Sequence, residues 1–143
     1  MKVLHLNKSD IDGGAARGAY WLHQSLQQSG IESKMLVARK LSDDKTVLTL
    51  PSKPQRALYE AKARLDQLPL RKYPNRQPGK FSPAGLATDL QAQIDSVNPD
   101  VINLHWVCGG FLKPKSLTKF QRPLVWTLRD MWGFSGGCHY ADS

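Results

Sequence analysis

Residues 3–38, VLHLNKSDIDGGAARGAYWLHQSLQQSGIESKMLVA, decide the fold class. Val3-Leu4-His5-Leu6 is a short apolar run closed by Asn7, which reads as an opening strand. The loop Lys8–Asp12 leads into DGGAARG, where Asp12 is a candidate helix cap and Gly13-Gly14 allow a tight backbone turn. Ala15, Ala19, Leu22 and Leu26 then recur on one helical face, and Gly30 ends the helix. Ser33–Ala38 returns to strand character. Strand, glycine turn, helix and strand make a βαβ unit, for which a right-handed crossover is expected.

The pattern extends outward from this unit. Val47-Leu48-Thr49-Leu50 reads as a third strand, stopped by Pro51. Gln55–Leu68 is an amphipathic helix with a stripe at Leu58, Ala61, Leu65 and Leu68, and with Arg56, Glu60 and Arg64 at four-residue spacing. That stripe either packs on the sheet or meets a membrane surface. Four prolines (Pro69, Pro74, Pro78, Pro83) make 69–85 an irregular loop. Thr88 is expected to cap a helix running to Val97, with Leu90, Ile94 and Val97 inward and Asn98-Pro99 as its stop. Val101–Leu104 is the fourth strand, Pro114–Phe120 a turn of helix, and Leu124–Leu128 the fifth strand. The unbroken apolar run of the fifth predicts cover on both faces.

This order predicts an α/β fold: a doubly wound, mostly parallel sheet with helices on both faces. It is expected to form a single domain over 1–143, with 53–85 as a basic helix and proline-rich loop inserted into it. The first and fourth strands should be neighbours, with the strand order reversing between them. Their carboxyl ends then deliver Gly13-Gly14 and His105-Trp106 to one crevice, beside Arg129-Asp130.

Composition narrows the class. Hydrophobic content of 41% and charged content of 22% describe an ordinary globular chain. No apolar run approaches the roughly 18 residues of a membrane span. The opening MKVLHLN turns polar too early for a secretory signal. Cys108 and Cys138 make no disulfide framework, so a reducing cytoplasm and buried free thiols are expected. With His139 they are too few for a zinc site. The formal charge of +8 is uneven: Lys53–Lys80 holds eight basic residues against Glu60 and Asp66. That excess predicts an anionic partner. Nucleic acid is disfavoured, because Trp21, Trp106, Trp126 and Trp132 all lie outside the basic segment.

Each candidate site has a bland alternative. The small residues of DGGAARG let backbone N–H groups approach an anion at a helix start, or simply turn the chain. The spacing matches neither G-x-G-x-x-G nor a Walker A loop. His105 can hydrogen-bond a sugar hydroxyl or move a proton, and Trp106 offers a flat face to a sugar ring, or both cap the core. Arg129 can hold Asp130 ionised or pair with a phosphate, or the two form a local salt bridge. His5 and His23 are expected to be structural. No nucleophile–base–acid set is legible, and no G-x-S-x-G occurs.

Two stretches, DVINLHWVCGGFL (100–112) and PLVWTLRDMWGFSGGCHY (123–140), carry a resemblance. They are similar to the N-terminal domain of retaining family-4 glycosyltransferases of the GT-B fold. Within that family the capsule and exopolysaccharide type, with its TLHDMW.FTGGCHY-like segment, is the nearest in pattern. The resemblance implies a Rossmann-like, acceptor-side domain that helps move a sugar from a nucleotide-sugar to a glycan or lipid-linked acceptor with retention. It implies no bound metal or other cofactor. Gly13, Gly14, Arg17, His105, Trp106, Arg129 and Asp130 become the candidate substrate-binding residues. In that family a separate C-terminal domain supplies most nucleotide contacts and the paired glutamates, so the 143-residue chain alone is expected to be inactive. One departure stands out: Arg129 occupies the place of a family His that contacts the transferred sugar. It favours a second reading, a non-catalytic module for an anionic glycan or lipid head group. Lipid-linked acceptors imply a cytoplasmic protein, peripheral on the inner face of the membrane, with Arg71, Lys72, Arg76 and Lys80 as docking residues.

Overall fold

The chain is described by a computed structural model over residues 1–75 and 81–140. Its strands are β1 (Lys2–Ser9), β2 (Glu32–Arg39), β3 (Val47–Thr49), β4 (Val101–Leu104) and β5 (Leu124–Trp126). They form one sheet in the order β3-β2-β1-β4-β5, and every pairing is parallel. The chain builds outward from β1 in one direction through β2 and β3, then returns to its other side for β4 and β5. This is a Rossmann-like α/β fold with its switch point between β1 and β4.

Alternate strand residues face opposite layers. Leu4, Leu6, Leu36, Ala38, Ile102 and Leu104 belong to a continuous apolar core with Tyr59, Leu90, Ile94, Val97 and Phe111. Those partners come from α2 (Lys53–Asp66), from α3 (Gln91–Val97) with the Leu90 before it, and from the loop after β4. On the other face Met35, Val37 and Val47 pack against Ala19 of α1 (Gly14–Gln28). The buried line of α1 is Ala16, Ala19 and His23, rotated slightly from the expected apolar stripe. His23 is accepted there because Ser33 Oγ and Thr46 Oγ1 lie 2.7 and 2.8 Å from its ring nitrogens.

Several local expectations are corrected. β5 is an edge strand, with Leu124 and Val125 exposed, so its apolar run is not covered on both faces. Thr88 does not cap α3: its hydroxyl bonds to the Gly110 carbonyl, and the helix starts after Leu90, with Asp89 Oδ1 accepting from the Gln91 N–H at 3.1 Å. α2 begins earlier than expected, with Ser52 Oγ accepting from the Gln55 N–H and Pro54 in its first turn. It ends at Asp66, followed by a short 3-10 turn over Leu68–Lys72. Its stripe does not pack on the sheet: Leu58, Leu65 and Leu68 are exposed, while Tyr59 and Asp66 are buried.

Besides Tyr59 in the core, two contacts fix the position of α2. Gly110 has φ of +76°, and a Cβ there would stand 2.8 Å from the Ala63 Cα, so only glycine fits on both counts. The buried Asp66 carboxylate accepts from the backbone N–H groups of Ala84 and Leu86, at 3.2 and 2.8 Å. Among the described residues, no helix is long and apolar enough to cross a membrane.

Candidate functional site: a cleft at the strand-order switch

The carboxyl ends of β1, β4 and β5 and the start of α1 enclose an open cleft of about 520 Å³. Asn7, Lys8, Gly13, Gly14, Trp106, Arg129, Asp130 and His139 are among the residues that line it. The topology places it here for a simple reason. Neighbouring parallel strands whose crossovers leave in opposite directions cannot cover the gap between them.

The glycine turn forms one wall. Gly13 is the N-cap of α1, with φ of +91°, and no side chain caps the helix. Asp12, the expected cap, instead pairs with Arg39 at 3.3 Å across the cleft rim. The first N–H groups of α1 have no intrahelical acceptor, and the N-cap Gly13 offers them no side chain. Apart from its chain neighbours and its own helical backbone, no described residue has a heavy atom within 4 Å of where a Gly14 Cβ would stand. The loop before the turn is anchored by Asp10, which is fully buried. Its carboxylate accepts from the N–H groups of Leu41 and Ser42 at 2.8–3.1 Å. Burial alone drives that carboxyl upward, but the Ser42 and Leu41 hydrogen bonds outweigh it and hold the group below its ordinary range.

Arg129 and Asp130 form the opposite wall, and they do not pair with each other. Asp130 turns inward: Oδ2 accepts from Trp106 Nε1 at 2.7 Å and from His139 Nδ1 at 2.5 Å, while Oδ1 accepts from the Trp132 N–H at 2.9 Å. Arg129 turns toward α1 and donates through Nη2 and Nε to His105 Nδ1, at 3.2 and 3.4 Å. Gly18 makes room for it, since a Cβ there would stand 2.7 Å from Nη1. Among the described residues no carboxylate neutralises Arg129.

His105 lies behind this wall, buried and absent from the cleft lining. Because Nδ1 accepts from Arg129, neutral His105 carries its proton on Nε2 and donates to His5 Nδ1 at 2.9 Å. His5 then carries its own proton on Nε2, which has no acceptor among the described residues. Burial pulls both rings far down, His5 to about 4 and His105 to about 3, with smaller contributions from neighbouring histidine and Arg129 charge. His105 is therefore a neutral strut under Arg129, set behind the cleft surface.

Trp106 keeps its place on the lining, but its ring is shared. His139 stacks on it at 5.4 Å, and the Lys8 ammonium sits 5.1 Å from its centroid. Arg17 is exposed on the second turn of α1 and does not line the cleft. Arg71 and Lys72 are exposed in the 3-10 turn, whereas Arg76 and Lys80 lie outside the described residues. Cys108 and Cys138 are free; Cys108 is buried, but Cys138 is exposed, against the expectation of two buried thiols.

Sequence reading missed Ser82 and the role of His139. His139 Nε2 lies 2.7 Å from Ser82 Oγ, so Ser82, His139 and Asp130 are connected in the order of a hydrolase relay. Ser82 is buried, however, and its N–H and carbonyl are bound to the Gly137 carbonyl and Trp132 Nε1. The set clamps the 81–84 segment to the 131–140 loop. Only the residue types hinted at it, with Ser82 and His139 57 positions apart.

The fold and cleft define a Rossmann-like α/β protein with a ligand-sized opening at its switch point. No family model, curated protein or solved structure matches the chain.

Proposed function

We propose that the chain is the acceptor-side domain of a retaining GT-B glycosyltransferase. Its cleft takes a glycan or lipid-linked acceptor and the phosphate end of a nucleotide-sugar, opposite a second, nucleotide-binding unit. One observation supports this reading above others: the uncapped start of α1, Trp106 and Arg129 converge on one cleft at the switch point. Such a helix end and a guanidinium that no carboxylate among the described residues neutralises both favour negative charge that grows on a departing phosphate. The Asp130 oxygens are already engaged, so its part is to hold Trp106 and His139 in position. The same reading puts the protein on the inner face of a membrane, near lipid-linked acceptors.

A second reading follows from Arg129, held by a neutral imidazole with no carboxylate partner among the described residues. Such a cation suits a module that binds an anionic glycan or head group without chemistry. A thermal-shift screen with nucleotide-sugars and glycans tests the first reading. The wild type should gain stability with at least one nucleotide-sugar. Gly14→Val should lose that response with its circular dichroism unchanged, because open space surrounds the site of its Cβ. Turnover should stay at the hydrolysis blank until a nucleotide-binding domain is added. A Gly14→Val protein that responds like wild type removes the glycine turn from the site. Response to anionic glycans alone favours the binding module.

A further inference from the structure

α2 carries its leucines on the side away from the core. Its buried residues are Tyr59 and Asp66, whereas Leu58 and Leu65 are 54% and 51% exposed. With Ala61 they fall at i, i+3 and i+7, which is one face of the helix. The 3-10 turn continues the apolar strip with Leu68, 43% exposed. Isolated surface leucines need no explanation, but an aligned strip on one helix marks a surface that meets something.

The charges beside the strip say what it meets. Lys53, Arg64, Arg71 and Lys72 are exposed along the same helix and turn. Asp66 adds no negative charge at the surface, because it is buried against the Ala84 and Leu86 amides. Among the described residues of α2 and the turn, Glu60 is the only exposed acid. An apolar strip with basic flanks matches the boundary of an anionic bilayer, where acyl chains lie beneath phosphate.

We infer that the outward face of α2 and the following 3-10 turn docks on an anionic lipid surface, with Leu58, Leu65 and Leu68 entering the acyl boundary and Arg64, Arg71 and Lys72 meeting phosphates. Each cation near such a surface adds roughly a five-fold gain in partitioning, so several acting together hold the protein reversibly without a span. The inference rests on the membrane location in the proposed function. Its test reads lipid alone, so failure here leaves the cleft reading standing.

The test is flotation of the 143-residue chain with phosphatidylglycerol-containing and pure phosphatidylcholine vesicles across a salt series. Binding should appear only with the anionic vesicles and weaken as salt rises. Leu58→Ser/Leu65→Ser should reduce it at least about ten-fold, since both side chains lose their apolar burial. Arg64→Ser/Arg71→Ser/Lys72→Ser should abolish its salt dependence together with most of the binding. All five positions are exposed, so circular dichroism and the thermal midpoint should stay as in wild type. Equal binding to neutral vesicles, no binding to anionic ones at low salt, or indifference to the leucine changes overturns the inference. If those leucine changes instead abolish self-association in ultracentrifugation while lipid binding is absent, the face belongs to a second copy of the chain, and the inference fails.

Discussion

Under α2 and α3, the sheet shows Leu4, Leu6, Leu36, Ala38, Ile102 and Leu104; under α1, the same strands show His5, Asn7, Ser33 and Asn103 beside Met35 and Val37. The first face needs only shape and volume, and any well-filled set of apolar side chains would serve it. The second carries buried polar groups that need partners, because an unpaired one is costly, and among the described residues of these strands His5 Nε2 alone goes without. That demand makes the α1 face specific. His105 supports Arg129, Asn7 Oδ1 receives the Trp106 N–H at 2.8 Å, and both chains of contacts end at the cleft. One side of the sheet holds the protein together, and the other aims its cleft.

The sharpest way to break that division is Phe111→Ala. Phe111 is fully buried in the apolar core, edge-on to Tyr59 with ring centroids 6.4 Å apart. Urea unfolding should show a loss of about 3–5 kcal/mol. At temperatures where the variant is still folded, the ligand response of the cleft should persist. A comparable loss of binding in the folded variant would show that the two faces are not separable.

His105→Leu tests the polar face. It strands the Arg129 guanidinium and the His5 Nδ1 acceptor, for an expected cost of about 1–3 kcal/mol. It should also weaken ligand response, since Arg129 loses its support.

The same residues predict how stability follows pH. His5 and His105 are held neutral in the folded protein, at about 4 and about 3, against an ordinary value of 6.5. Between those values the unfolded chain binds more protons than the folded one, so stability falls as pH drops from 6.5 toward 4 and is fully retained above 6.5. Thermal midpoints at pH 7.5, 6, 5 and 4.5 should show the decline, and His105→Leu should flatten it. An equal slope in that variant would assign the acid sensitivity elsewhere.

The smallest expected effect sharpens the comparison most finely. Gly18→Ala places a methyl group 2.7 Å from Arg129 Nη1 and pushes the guanidinium off His105. Replacing glycine inside a helix gains about 0.8–1 kcal/mol, while the lost hydrogen bond costs about 0.5–1.5 kcal/mol. The two nearly cancel, so stability should stay within about 0.5 kcal/mol while binding of an anionic ligand drops. A variant with unchanged binding would remove Arg129 from the ligand's path.

Much of the fold could be read from local pattern. The apolar run Val101–Leu104 is β4, and Leu90, Ile94 and Val97 turn inward as their spacing predicts. Their spacing reports burial directly. The reading failed where one pattern serves two environments. The leucines of α2 have the periodicity of a core helix, and only the position of Tyr59 against Phe111 and of Asp66 against the Ala84 and Leu86 amides turns them outward. The apolar run of β5 resembles a central strand, yet nothing described pairs with its outer edge.

For the cleft, the sequence by itself determined the switch point and part of what lines it: Gly13, Gly14, Trp106, Arg129 and Asp130 sit at strand and helix ends, and topology carries those to one place. Only the tertiary structure decided what each side chain faces. Arg129 and Asp130 are adjacent in the chain, yet one reaches a neutral histidine beneath α1 and the other a tryptophan, a histidine and a backbone amide. Adjacent positions point in different directions, and their partners lie 2 to 24 residues away, so no local pattern could have assigned them. Ser82 and His139, 57 positions apart, meet for the same reason: hydrogen bonds form between neighbours in space, and the fold chooses the neighbours.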